Sequence, residues 1–123
     1  MKQMIEAHCK GTFRSYKTFR RSGAVVLHTI HDFHEWDFDD NHVLTITWYK
    51  QHRKKTFCHT DKWTIILENK QHFIQIEQPA MRYEIISLNH TGMVLADNTQ
   101  GEKVFFARLP NWEGLIKKSL PVF

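Results

Sequence analysis

The sequence has few of the residues that build cross-linked frameworks. Its 123 residues include only two cysteines, Cys9 and Cys58, and neither belongs to a spaced cysteine motif. We therefore expect two thiols in a reducing compartment, with a disulfide between them as the alternative. A domain of this length buries about two thirds of the surface of its unfolded chain, so its folding needs no disulfide or structural metal.

Long apolar runs are also missing. No run approaches the roughly 20 residues that a membrane-spanning helix needs. Residues 1–9 contain no apolar core of signal-peptide length, and no apolar run precedes Cys9 as it would in a lipoprotein signal. These absences predict a cytoplasmic protein with no membrane partner.

The motifs of common catalytic and phosphate-binding sites are absent as well. The sequence has no Gly-x-Ser-x-Gly and no phosphate-cradling glycine loop, and its five glycines stand at turns or ends. Asp37, Asp39 and Asp40 are close enough for a carboxylate pair, but Asp39-Asp40-Asn41 is better explained as a hairpin turn. We therefore predict that the protein is not an enzyme and holds no cofactor.

Histidine, in contrast, is abundant, with nine in the chain. No ligand spacing of the type Cys-x-x-Cys or His-Glu-x-x-His occurs. His28, His31 and His34 stand three apart, and on a strand only His28 and His34 would share a face. We predict no metal site and interpret the histidines as scattered surface residues of a basic protein, whose net charge is +4.

A repeated strand-turn-strand pattern is the strongest positive signal. Before the polar turn 39–41, aromatic residues alternate with acidic ones in 34–38, and after it aliphatic residues alternate with threonines in 43–48. Such alternation is typical of strands with one buried face. The pattern predicts an antiparallel hairpin, and the rest of the chain repeats it.

Strand-like segments recur about every 8 to 14 residues after Phe33, and counting from Gly11 gives about eight. Regular short spacing favours an all-β meander, and closure into an antiparallel up-and-down barrel removes its exposed edges. We predict a single domain over residues 1–123 with this fold. Residues 24–30 fit either a strand or a short helix, and residues 1–9 fit a helical turn or an extended lead-in.

The end of the sequence changes period. Apolar residues spaced i, i+3, i+4 and i+8 follow Pro110 and Asn111: Trp112, Leu115, Ile116 and Leu120. This spacing predicts a short C-terminal helix over about 111–119. Gly114 costs about 1 kcal/mol inside it, so we expect the helix to pack on the outside or the rim of the barrel.

From Gly11 to Arg108, about four fifths of the chain, the order of these signals resembles the bacterial lipocalin-like domains, small calycin-type barrels related to the lipocalins and fatty-acid-binding proteins. The resemblance is carried by four phrases in sequence: Gly11-Thr-Phe13; Trp36-Asp-Phe38 followed by strands 43–48 and 63–67; Tyr83-Glu-Ile85 with Leu88 and 93–97; and Phe106-Ala-Arg108. It implies the same barrel that the strand spacing predicts.

The resemblance also implies how one end of the barrel closes. In lipocalins the final arginine lies over a tryptophan of the first strand, where it stacks and bonds to nearby carbonyl groups. The residues that match are Gly11, Phe13 and Arg108. Phe13 replaces the tryptophan, so the ring face is kept but the indole N–H is lost.

The function that the resemblance implies is non-catalytic binding of a small apolar ligand inside the barrel. Alternating residues that would line it are Trp36, Phe38, Trp48, Trp63, Tyr83, Phe106 and Arg108. Tyr83 and Arg108 would supply polar contacts, and Arg108 would suit a carboxylate if the barrel floor does not use it. A core filled by these large side chains, with no cavity, is the alternative.

A second function class is a barrel that binds nucleic acid or another polyanion. Basic residues concentrate in segments 14–21 and 50–55, with tyrosines and a phenylalanine nearby for base stacking. The acidic residues of 32–40 interrupt a continuous basic face. Nucleic acid is therefore the less favoured partner.

Overall fold

The computed structural model of the protein describes residues 2–29, 32–50, 53–77 and 81–109. One helix and nine strands follow one another in these ranges: α1 (Lys2–Cys9), β1 (Gly11–Phe19), β2 (Val25–Leu27), β3 (Phe33–Phe38), β4 (Val43–Lys50), β5 (Arg53–Glu68), β6 (Gln71–Ile76), β7 (Met81–Leu88), β8 (Gly92–Asp97) and β9 (Glu102–Arg108).

The strands form an antiparallel sheet that closes on itself. Its order is β2-β1-β3-β4-β5-β6-β7-β8-β9, and β1 also pairs with β9, from Phe13 opposite Arg108 to Phe19 opposite Lys103. Eight strands therefore form the barrel, and β2 is an extra strand on the last part of β1. The predicted all-β, antiparallel up-and-down barrel of about eight strands is confirmed.

Local turn chemistry explains two of the hairpins. The Asp39 carboxylate accepts the N–H groups of Asn41 and Val43 at 2.8 and 2.9 Å, which turns the chain from β3 into β4. Asn69 and Lys70 both have positive φ, 52° and 66°, as a two-residue type I′ turn requires. The turn predicted at 39–41 is thus present, and the turn at 69–70 forms without a glycine.

Other segments differ from the sequence pattern or settle what it left open. Residues 60–62, which look like a polar lead-in to the next strand, belong to the continuous 16-residue strand β5. Residues 25–27 form a strand, not a helix, and residues 2–9 form a helix. The helix predicted over 111–119 lies outside the described residues.

Two further observations concern the cysteines and the helical content. Cys9 is buried, Cys58 is exposed, and neither takes part in a disulfide, as expected. Within the described ranges, no helix has the length and apolar character needed to cross a membrane.

A β-bulge in β1 decides what its second half presents to the interior. The register with β9 shifts between Ser15 and Lys17, so that Tyr16 has no partner there. Ser15, before the bulge, and Thr18, after it, are both buried, at 0% and 8% exposure. Two hydroxyls three residues apart therefore face inward, which an unbroken strand would not allow.

The barrel has two unlike ends. At the closed end, β1 begins and β9 finishes, and α1 lies across this end against β5 and β7. At the open end, β1 finishes and β9 begins, and the turn of residues 98–101 leads from β8 to β9.

Candidate ligand-binding cavity

The closed end is filled by aromatic rings. Phe13, Phe38 and Trp63 are at most 2% exposed. Phe38 meets Phe13 edge-on, with ring centroids 5.9 Å apart, and meets Trp63 in the same way at 5.1 Å. T-shaped pairs of this kind add to the stabilisation that burial of the rings gives. This half of the interior is therefore a packed core.

Arg108 covers this core from the end of β9. Its guanidinium carbon lies 4.4 Å from the centre of the Phe13 ring, within cation–π range. The same guanidinium donates to the carbonyl oxygens of His8, at the end of α1, and of Lys10, the latter at 2.8 Å. Since the last carbonyls of a helix have no partner within the helix, Arg108 joins α1 to the barrel.

Gly11 lies beside this arginine. Its φ is +122°, a conformation that side-chain-bearing residues rarely adopt, and a Cβ at this position would stand 3.1 Å from Arg108 Nη1. The structure therefore brings together Gly11, Phe13 and Arg108, the three residues that the resemblance assigned to barrel closure.

The open end, in contrast, contains a cavity of about 410 Å³. It is lined mainly by rings and aliphatic side chains, with a smaller set of polar groups: Trp36, Ile46, Trp48, Met81, Tyr83, Leu95, Val104 and Phe106, together with His34, His59, Asp97, Gln100 and Glu102. The interior is thus packed at one end and open at the other.

The seven residues expected to line a ligand site divide between these two ends. Four border the cavity: Trp36, Trp48, Tyr83 and Phe106. The other three, Phe38, Trp63 and Arg108, belong to the packed closed end. Arg108, expected as a handle for a carboxylate, is held by the floor and is not among the cavity-lining residues.

Two hydrogen-bond donors of the lining are weakly used. Trp36 is 5% exposed, and its indole Nε1 has no hydrogen-bond partner among the described residues. The Tyr83 hydroxyl donates only to the sulfur of Met81, at 3.8 Å. Burial, reinforced by the negative charge of Asp97, raises the pKa of Tyr83 to about 12, so this hydroxyl keeps its proton.

The rim of the cavity carries carboxylates. One oxygen of Asp97 accepts the N–H groups of Thr99 and Gln100, at 3.0 and 3.2 Å, which holds the turn between β8 and β9. Glu102, the first residue of β9, lies 3.9 Å from Nε of Arg20, whose side chain is 56% exposed. So long and exposed an ion pair contributes little stability.

A second, wider space of about 610 Å³ adjoins the cavity beside β2 and shares His34, Trp48, Glu102 and Val104 with it. His28, just after β2, bonds through Nδ1 to Ser15 Oγ and through Nε2 to Thr18 Oγ1, at 2.5 and 2.8 Å. Burial lowers the pKa of His28, and the negative charge of Asp32 partly opposes this. On the sequence alone the histidines are interpreted as surface residues, which misses this arrangement of His28. The bulge in β1, which turns both Ser15 and Thr18 inward, has no clear sequence signal.

Among the residues with described side chains, no group of three His, Cys, Asp or Glu is arranged to hold a metal ion. In segment 14–21, Arg14 pairs with Glu35 at 2.7 Å, and Lys17 lies over the ring of Phe105 at 4.5 Å. The side chains of segment 50–55 lie outside the described part of the chain.

Comparison with known protein families, with curated proteins and with solved structures finds no match to this chain. Its function is therefore inferred from the cavity.

Proposed function

We propose that the protein is a non-catalytic, lipocalin-like barrel that binds a small, mostly apolar ligand in the cavity at its open end. The observation that carries the proposal is the contrast within one interior. The closed end is packed with rings, while the open end leaves about 410 Å³ bordered by Trp36, Trp48, Tyr83 and Phe106.

The size and lining of the cavity support binding. Pockets for small molecules occupy about 300–1,000 Å³ and combine an apolar lining with a few placed polar groups. Here rings and aliphatic side chains predominate, and the indole Nε1 of Trp36 and the hydroxyl of Tyr83 supply donors. A buried donor without a partner costs about 1–3 kcal/mol, so a ligand that accepts from it gains accordingly.

The Ser15–His28 pair is the arrangement most like a catalytic one, and we assign it a structural role. Ser15 is 0% exposed, and its Oγ already accepts the backbone N–H of His34 at 2.8 Å. A substrate carbonyl has no route to a fully buried oxygen. The lack of enzymatic activity, like the cytoplasmic location and the bacterial type of domain, stays a prediction.

We do not advance polyanion binding as a second function. In segment 14–21, Arg14 and Arg20 each lie beside a glutamate, and Lys17 packs on aromatic rings.

A neutral apolar dye tests the proposal directly. Nile red should bind with a fluorescence increase that changes little with salt, because no ion pair is involved. Val104→Trp, which adds a large ring to the cavity wall, should weaken binding at least about tenfold, the equivalent of roughly 1.4 kcal/mol. Val25→Trp is the matched control, since Val25 is 51% exposed on β2 and does not border the cavity.

Circular dichroism should show that both variants keep the fold. Equal loss of dye binding in the two variants, or binding that Val104→Trp leaves unchanged, would place the dye outside the cavity and contradict the proposal. A steep loss of dye binding with salt would do the same.

A further inference from the structure

The charge of the cavity is opposite to that of the protein. The chain as a whole has a net charge of +4. The described lining of the cavity contains two carboxylates, Asp97 and Glu102, and neither lysine nor arginine. His34 and His59 are the only lining side chains that can gain a positive charge. The cavity therefore favours positive charge inside a basic protein.

Two arginines with described side chains could oppose this preference, and neither does so. Arg108 lies at the opposite end of the barrel, where its guanidinium is held by the Phe13 ring and by carbonyl oxygens around α1. Arg20 borders only the adjoining wider space and is offset by Glu102 at 3.9 Å. Within the described lining, an anionic ligand would thus meet two carboxylates and neither lysine nor arginine.

The aromatic lining adds a second preference for positive charge. Trp36 and Trp48 border the cavity together with Tyr83 and Phe106. Trp36 lies edge-on to Tyr83, with ring centroids 5.1 Å apart, and 5.2 Å from Phe106. Ring faces attract cations through their quadrupoles, and tryptophan does so most strongly. A flat or aliphatic body would pack against the same rings.

The donors in the lining specify the other end of the ligand. Nε1 of Trp36 has no acceptor among the described residues, and the hydroxyl of Tyr83 has the weak sulfur acceptor of Met81. This hydroxyl keeps its proton because burial raises the pKa of Tyr83. Trp36 is 5% exposed, whereas Glu102 stands at the start of β9 on the rim. The hydrogen-bond acceptor of the ligand would therefore lie deep in the cavity, and its positive charge would lie at the rim.

We propose that the ligand is a protonated organic amine with an apolar body and a hydrogen-bond acceptor at its buried end. This inference rests on the proposed function, since it names the ligand class of the same cavity. It differs from the expectation drawn from the sequence, which was a small apolar ligand, with Arg108 suited to a carboxylate if the barrel floor did not use it.

Three probes of nearly equal shape test the sign of the charge: phenethylamine, hydrocinnamate and phenethyl alcohol. Each is titrated against the Nile red complex of the intact chain at neutral pH, and displacement is measured. The amine should bind at least about tenfold more tightly than the carboxylate, with the alcohol between them, because the carboxylates of Asp97 and Glu102 border a partly desolvated site. The preference should shrink as salt is added.

Replacing the two rim carboxylates by uncharged isosteres tests whether they cause the preference for the amine. Glu102→Gln combined with Asp97→Asn should reduce the preference for the amine to about twofold or less, because the negative charge is removed while the shape is kept. The asparagine oxygen can still accept from the turn. Asp40→Asn is the matched control, since Asp40 lies in the hairpin turn at the closed end with its side chain 89% exposed, and it should keep the full preference.

The acceptor is tested with para-methoxyphenethylamine, which adds an ether oxygen opposite the amine. The methoxy group should tighten binding several-fold in the natural chain and give no gain in Trp36→Phe, which keeps a ring but loses the N–H. Equal gains in both chains would overturn the assignment of this donor.

The outcomes separate the two proposals. If Nile red binds in the cavity but the carboxylate displaces it as well as the amine does, or if none of the probes displaces it, the amine inference is wrong and the cavity function stands. If Nile red itself does not bind, or binds equally to Val104→Trp, both are wrong.

Discussion

The two ends of the barrel use similar residues to different effect. At the closed end, Phe13 and Trp63 have no exposed surface. At the open end, Trp48, which borders the cavity, is 41% exposed. Among the described residues, the two ends differ in their cover, because α1 and Arg108 close one end whereas β2 stands beside the other.

The largest expected effect compares one inward-facing ring at each end. Phe13→Ala should lower the free energy of unfolding by about 3–4 kcal/mol, because it leaves a cavity in a packed core and removes the ring under Arg108. Trp48→Ala, which truncates a ring that borders the cavity, should cost about 1–2 kcal/mol, since Trp48 is already 41% exposed. Denaturant unfolding of both variants gives the two values. Equal costs would mean that the ends are packed alike.

An intermediate effect concerns the arginine that covers the floor. Arg108→Ala should cost about 1–3 kcal/mol, because the Phe13 ring and the carbonyls of His8 and Lys10 lose their partner. Arg82→Ala is the matched control. Arg82 also lies over a ring, 5.2 Å from the centre of Phe73, and it pairs with Glu68. The side chains of Arg82 and Glu68 are exposed, so the loss of Arg82 should cost under about 1 kcal/mol.

Similar losses for the two arginine variants would show that position over the floor gives Arg108 no special role. Thermal unfolding followed by circular dichroism provides the comparison, with the midpoint shift of Arg108→Ala expected to be the larger.

The smallest effect belongs to the open end and depends on pH. Burial lowers the pKa of His28 below its value in the unfolded chain, with Asp32 partly opposing the shift. The unfolded chain therefore binds the proton first as pH falls, and stability is lost from about pH 6.5 downward, until the folded state is protonated too. His28→Gln removes this contribution, so its stability deficit relative to the natural chain should narrow as pH falls.

The measurement is urea unfolding of both chains at several pH values between about 7 and 5. Parallel stability curves would show that protonation of His28 does not differ between the folded and unfolded states.

Local patterns predicted most of the fold. Alternation and turn residues specify hairpins over a few residues, so the β3–β4 hairpin and the turn at Asn69-Lys70 could be recognised before closure was known. Residues 60–62 do not look like part of a strand because they are polar on both faces. Their backbone nevertheless pairs with β4, so β5 continues through them.

The cavity could be predicted only in part. Alternation identifies which side chains face inward, but not how far along the barrel each one lies. Strand stagger places Phe38 in the packed floor and Trp36, two residues earlier, at the cavity. The carboxylates on the rim were not singled out at all, because Asp97 and Glu102 look like ordinary turn residues in the sequence.

The pairing of β1 with β9 has a consequence for how the chain acquires its structure. Phe13 and Arg108 stand opposite each other although most of the chain separates them, and every intervening hairpin joins near neighbours. During synthesis the hairpins can form in turn as they emerge, but the ring of strands stays open until β9 has been made. Contacts between such distant residues slow folding, because the whole loop must be ordered before they form. Throughout that interval the edge of β1 that later pairs with β9 is open to other chains.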